Sequence, residues 1–200
     1  MDVNVLVVDN FYQDPLSVRE FALSQDFNVT GNYPGLRTKS FLDDELKYYI
    51  NEIVSPHAGN VVYWADEGED TYTGAFQIAT SADRTWIHAD QTTGWAAVCY
   101  LTPDAPVSGG TGLFRHKETG MYKSPRDENG ERVEYDHELM EPLNNDFQDY
   151  TKWEQVDTIG NVFNRLVLYR GDIFHASLDY FGHDMETGRL FQTFFFSTEY

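Results

Sequence analysis

Residues Trp86-Ile87-His88-Ala89-Asp90-Gln91-Thr92-Thr93-Gly94-Trp95-Ala96-Ala97-Val98-Cys99-Tyr100-Leu101 decide how the chain is read. They contain two strand-like runs, Trp86 to Asp90 and Gly94 to Leu101, parted by a polar turn. In an extended segment, residues i and i+2 point to one side, so His88 and Asp90 present an imidazole and a carboxylate together. Such a pair can supply two ligands to one divalent metal. Taken alone, His-x-Asp arises often by chance and serves equally well as a surface hydrogen bond.

Outward from this stretch the same pattern continues. Val61 to Trp64, Tyr72 to Ala79 and Gly110 to Phe114 are short runs punctuated by turn residues, and strands resume at Arg165 to Tyr169, Asp172 to Leu178 and Leu190 to Thr198. The front of the chain differs. Val3 to Val8 is a β-branched run, and Asp14-Pro15 gives an N-cap and first-turn signal for a helix carrying Leu16, Phe21, Ala22 and Leu23. A second helix is predicted from Asp43-Asp44, with Leu46, Tyr49, Ile50 and Ile53 at helical spacing. The expected class is mainly β with flanking helices, a β-sandwich or jelly roll. One domain is expected over residues 1–200. Its parts are an α/β support at 1–60, a core at 61–116 and 161–200, and a polar insertion or lid at 117–160 with a short helix after Pro142.

Composition limits the function. The 200 residues carry 14 basic and 33 acidic side chains, a formal charge of −19. A surface this negative repels phosphate backbones and anionic lipid, so no nucleic-acid or membrane role is expected. With 16% aromatic residues the chain is too rich in core-forming side chains for an acidic disordered tail. The single cysteine, Cys99, excludes an internal disulfide and lies in an apolar run, where a buried, inert thiol is expected. Residues 1–9 lack a basic region and a continuous apolar stretch, and no window is apolar enough to span a membrane. A cytoplasmic, reducing location fits these features.

A third metal ligand must come from elsewhere, and His175 stands in the apolar segment Gly171-Asp172-Ile173-Phe174-His175-Ala176. Two histidines and one carboxylate on one face of an octahedron leave open positions, the arrangement of non-haem Fe(II) oxygenases. Arg189 opens the otherwise apolar run Arg189-Leu190-Phe191-Gln192-Thr193-Phe194-Phe195-Phe196. Its planar fork pairs bidentately with a carboxylate. That carboxylate is either one of the protein's own acids or the far end of 2-oxoglutarate.

In order, His88-x-Asp90, Tyr100-Leu101, Gly109-Gly110, Gly171-Asp172, His175 and Arg189 resemble the Fe(II)/2-oxoglutarate-dependent dioxygenase superfamily, in its prolyl-4-hydroxylase-like branch. The resemblance is dense over 86–114 and 163–196, whereas residues 1–60 carry none of the catalytic motifs and are similar only to the front of uncharacterised bacterial and phage relatives. It implies a double-stranded β-helix of the cupin-like jelly-roll type. His88, Asp90 and His175 would ligate Fe(II), Arg189 would hold the C5 carboxylate of the cosubstrate 2-oxoglutarate, and Tyr100 and Thr193 would stand beside it. The implied reaction consumes O2 and hydroxylates an amino-acid side chain or small metabolite, releasing succinate and CO2. The Asp at position 90, where halogenating variants carry a small residue, favours hydroxylation.

The resemblance is imperfect at two places. The interval from His175 to Arg189 is long, which leaves Arg170 as an alternative arginine, and residues 117–160 replace what is often a shorter link. His183-Asp184 reads as an exposed turn, His137 and His57 as surface, and His116 as a residue that could reach the pocket mouth. Trp86 is expected either to wall the pocket or to pack in the core. No phosphate-binding loop, dinucleotide fingerprint, nucleophile elbow or zinc-protease helix occurs. Two other readings stay open: a cupin-like metalloprotein of another reaction class, which lacks its His-x-His pair here, and a non-enzymatic jelly-roll binding module. The substrate, small or peptidyl, and the oligomeric state are not specified.

Overall fold

The computed structural model describes residues 3–68 and 71–199; the ends of the expected domain, residues 1, 2 and 200, lie outside the described residues. The elements in chain order are β1 (Val5–Val8), α1 (Pro15–Leu23), β2 (Leu36–Ser40), α2 (Asp44–Ala58), β3 (Asn60–Trp64) and β4 (Ala75–Ala79). They continue with β5 (Trp95–Tyr100), β6 (Thr111–His116), β7 (Trp153–Ile159), β8 (Leu166–Arg170), β9 (His175–Ser177) and β10 (Arg189–Glu199).

Every pairing is antiparallel. A large sheet runs β1-β8-β5-β10-β4-β2, with β3 pairing the far end of β10, and a small sheet runs β7-β6-β9. The central strands β4 and β5 are buried along their whole length, as expected of strands covered on both faces. One face of the large sheet, through Trp95, Ala97, Cys99, Leu168 and Phe194, packs on Ile50 and Val54 of α2 and Ala22 of α1. The other face, through Ala96, Val98, Tyr100, Val167 and Phe191, turns inward between the sheets. The fold is therefore mainly antiparallel β with two helices buttressing one side, a jelly roll.

The helix starts follow their predicted chemistry. Asp14 accepts from the Ser17 amide at 3.1 Å, with Pro15 at the first helical position, and Asp43 accepts from the Leu46 amide at 2.8 Å. Cys99 is buried on the helix-facing side, and burial pushes its thiol pKa far up.

The structure differs from the expected elements at three points. Trp86–Asp90 is not a ladder strand; it touches β9 only through a bridge between His88 and His175. The short helix expected after Pro142 is a single 3-10 turn, Tyr150–Lys152, which leads straight into β7. Finally, Leu36–Ser40, which has no counterpart among the expected elements, pairs with β4 and extends the large sheet. Its polar residues hid it, because Arg37 and Thr38 are buried by partners far along the chain.

Candidate metal centre

The bridge between His88 and His175 builds the centre. His88 N–H donates to the His175 carbonyl at 2.9 Å and His175 N–H to the His88 carbonyl at 2.8 Å, placing the rings 4.4 Å apart. Asp90 N–H donates to Gly171 O at 2.7 Å, which fixes the carboxylate beside them. Gly171 is required there, since a Cβ would come within 2.8 Å of the Thr93 carbonyl and 3.3 Å of the Asp90 carboxylate.

One ligand atom from each of His88, Asp90 and His175 lies within 4.8 Å of the others, and this is the sole such group of three among the described residues. Nδ1 of His88 lies 3.1 Å from the Trp86 carbonyl, and Nδ1 of His175 lies 2.7 Å from the Ile173 carbonyl. A carbonyl only accepts, so each Nδ1 carries the proton and each Nε2 keeps its lone pair for a metal. Burial, reinforced by His88, holds the His175 pKa well below the ordinary imidazole value, so this ring is neutral. Burial also raises the Asp90 pKa.

The carboxylate oxygen Oδ2 of Asp90 is buried without a hydrogen-bond partner and lies 3.8 Å from Nε2 of His175. That separation is too long for a hydrogen bond, and a bare carboxylate oxygen facing a bare imidazole nitrogen is costly. A divalent cation between them satisfies both, and two neutral imidazoles with one carboxylate suit Fe(II).

The segment 117–160 clamps this centre from outside. The Arg132 guanidinium donates to the carbonyls of Asp90 and, at 3.1 Å, Thr93. The Tyr135 hydroxyl accepts from Ala89 N–H at 2.9 Å and donates to Ala89 O at 2.7 Å, while Ile87 N–H donates to Phe147 O at 3.0 Å. These partners satisfy the backbone of 86–90 in place of a sheet ladder. Nothing in the spacing of Arg132, Tyr135 and Phe147 marked them for this role.

A cavity of about 560 Å³ opens over the cluster, bounded by Trp86, Tyr135, Phe147, Tyr169, Phe191 and Phe195 among others. Thr193 lines it, with its hydroxyl donating to the Tyr72 carbonyl at 2.6 Å. Arg189 and Tyr100 do not line it; Arg189 is fully buried, with its guanidinium 4.5 Å from the ring of the cavity-lining Phe191. Its Nε donates to Gly109 O at 2.8 Å and Nη2 to Gly110 O at 3.3 Å, whereas Nη1 has no partner. Among the described residues no carboxylate pairs with it, so a structural ion pair does not account for this arginine. Its guanidinium lies 5.3 Å from the Tyr100 ring, and the Tyr100 hydroxyl meets Thr111 at 2.7 Å. Arg170, in contrast, lies over Trp95 at 5.4 Å, and Trp95 belongs to the helix-packed side of the large sheet.

The other histidines stand apart. His116 is buried against Trp153, with ring nitrogens 2.9 Å from Asp146 and 3.0 Å from Thr119, so it braces the 117–160 segment and does not reach the pocket mouth. His57 and His183 are exposed, and His137 caps a short 3-10 turn.

A family model described as a family of unknown function, DUF6445, matches residues 2–196. The chain belongs to this family. No curated protein matches this DUF6445 chain in sequence. In three dimensions it is similar to HygX from Streptomyces hygroscopicus with nickel and 2-oxoglutarate bound, at 12% identity and TM-score 0.60, over 98% of this chain and 84% of HygX. HygX with nickel, 2-oxoglutarate and hygromycin B bound gives 13% identity and TM-score 0.57 over the same shares. The non-heme alpha-ketoglutarate-dependent epimerase SnoN from nogalamycin biosynthesis gives 10% identity and TM-score 0.51, over 96% of this chain and 78% of SnoN. At these identities the likeness establishes a common fold. No helix among the described residues is long and apolar enough to cross a membrane.

Proposed function

We propose that this DUF6445 protein is a non-haem Fe(II) and 2-oxoglutarate-dependent oxygenase that hydroxylates an amino-acid side chain or a small metabolite. The observation that carries the reading is the unpartnered Asp90 oxygen facing two imidazoles whose Nδ1 protons are already committed to carbonyls. The likeness in fold to HygX with nickel and 2-oxoglutarate bound supports the choice of cofactor and cosubstrate.

His88, Asp90 and His175 would hold the metal on one side, leaving the cavity side open. Bound there with 2-oxoglutarate and O2, Fe(II) supplies the oxidation, in which decarboxylation of the cosubstrate to succinate and CO2 is coupled to hydroxylation of a substrate C–H bond. Arg189 supplies a charged donor, Nη1, for the C5 carboxylate, and Tyr100 and Thr111 offer hydroxyls next to it. Thr193 stands on the same strand face as Arg189, toward the cavity. The two Nδ1–carbonyl bonds keep the imidazoles oriented, which lowers the reorganisation needed to bind the ion.

Anaerobic addition of Fe(II) and 2-oxoglutarate should give a weak visible charge-transfer band, and admission of air should give succinate. Absence of both would sink the proposal. His88→Ala and Asp90→Ala should each abolish the band. Arg189→Met should weaken 2-oxoglutarate binding by about 10- to 100-fold, the loss of a charge-assisted pair; an unchanged affinity would mean another residue holds the cosubstrate.

A further inference from the structure

A second buried guanidinium, unlike that of Arg189, lines the cavity itself. Arg37 on β2 is 4% exposed and lines the cavity that also contains His88, Asp90 and His175. Among the described residues no carboxylate pairs with it, and its Nη1 has no hydrogen-bond partner. The Tyr33 and Tyr72 rings each lie 3.8 Å from the guanidinium carbon and, perpendicular to each other with centroids 5.3 Å apart, flank it on two adjacent sides. Gln77 Oε1 accepts from Nε, at 3.1 Å, and from Nη2, closing that edge. Gln77 is itself held by donating to Pro34 O at 2.6 Å. Nη1 is left as a buried charged donor with no acceptor, and a guanidinium donor of this kind suits a carboxylate oxygen.

The sheet register keeps this group apart from Arg189. Arg37 pairs with Gln77, Gln77 with Phe191 and Phe191 with Tyr100, one row across the inward face. Arg189 begins the same strand as Phe191 and points toward Gly109, Gly110 and Tyr100. In the oxygenase reading, 2-oxoglutarate presents one carboxylate to the metal and one to Arg189, and neither is left for Arg37.

We propose that Arg37 anchors a carboxylate of the primary substrate through its unpaired Nη1, so that the enzyme acts on an organic acid with an apolar or aromatic body. The inference rests on the oxygenase reading for the fate of that acid, but not for its binding. Tyr33 and Tyr72 flank the fork on two sides, Gln77 sets its rotation, and Trp86, Phe147 and Phe195 bound the space for the rest of the molecule. In a chain of net charge −19 this site is a local positive well that selects anions of the right shape.

The test uses the full chain loaded with Ni(II) and 2-oxoglutarate, and again with neither, titrated calorimetrically with matched pairs. The pairs are the N-acetyl derivatives of leucine, phenylalanine and lysine, each as free acid and as primary amide. Wild type should bind the acid of at least one pair about tenfold or more tightly than its amide, the scale of one charge-assisted contact. Arg37→Gln should bring the two within about twofold. If that variant does not fold, Arg37→Lys, which keeps charge and loses the fork, should lose most of the preference. Equal binding of acid and amide in every wild-type pair overturns the proposal, as does a preference that survives in Arg37→Gln. So does a loss of 2-oxoglutarate affinity in Arg37→Gln as large as that in Arg189→Met, since Arg37 would then be the cosubstrate's partner. An acid preference that depends on Arg37 in a protein showing no charge-transfer band and no succinate would keep the carboxylate site and reject the oxygenase reading.

Discussion

Tyr135 shows how much of the centre depends on single atoms outside it. Its hydroxyl is the partner of both the amide and the carbonyl of Ala89, the residue between His88 and Asp90. Ala89 is buried, so Tyr135→Phe leaves two backbone groups unpaired at a cost of about 1–3 kcal/mol. Because the same bonds orient the ligands, Ni(II) affinity should fall about 10- to 100-fold, measured by direct titration alongside thermal unfolding. An unchanged affinity would show that the β9 bridge positions the ligands unaided. This residue was not legible in the sequence, since it works through an oxygen that any tyrosine carries. His88 and Asp90 were legible for a local reason: their i, i+2 relation survives even though 86–90 forms no ladder. Arg37 was invisible because its environment comes from Gln77 and Tyr72, which only the β2–β4 pairing and the turn before β4 bring to it.

At the scale of elements, local signals predicted well where the element was amphipathic and failed where tertiary partners bury polar residues. Helix α2 announced itself through Asp43 and its apolar stripe. Asp43→Ala removes the cap to Leu46 N–H and should cost about 1 kcal/mol in thermal or denaturant unfolding, with the metal site unaffected. A loss below a few tenths would mean water replaces the cap. Strand β7 reads as part of a polar insertion because Glu154 to Thr158 are all exposed; only Trp153 anchors its start. Trp153 packs on Phe174 at 5.0 Å and donates to the Asp146 carbonyl at 2.8 Å, tying the 117–160 segment to the residue preceding His175. Trp153→Ala should therefore destabilise by about 3–5 kcal/mol in equilibrium unfolding. A small effect would show the segment to be dispensable to the fold, as an insertion would be.

For the whole molecule, the charge of −19 follows from the 33 acidic residues, of which the site uses one carboxylate, Asp90. Like charges at this density repel one another in the compact state, and salt screens them. Thermal stability at pH 7 should therefore rise with NaCl, by a few degrees between about 0.01 and 0.5 M, equivalent to about 1–2 kcal/mol in a chain of this size. The gain should shrink toward zero near the sequence pI of about 4.4, where the net charge vanishes. Acid stability has the opposite sign of dependence. Asp9 is held below the ordinary carboxylate range chiefly by its hydrogen bond to Arg165, and Asp14, Asp127, Asp149 and Asp184 by hydrogen bonds within their own turns. A carboxyl whose folded pKa is depressed stabilises fully above its unfolded value, near 3.8 here, and that contribution is lost as pH falls through the folded value. As repulsion fades below pH 7, the buried neutral His175 works against the gain below the ordinary imidazole value near 6.5, and the melting temperature at low salt should then drop further below about pH 4 as these carboxylates protonate. A melting temperature independent of salt at pH 7 would show that the acidic groups lie too far apart for their repulsion to act on the folded state.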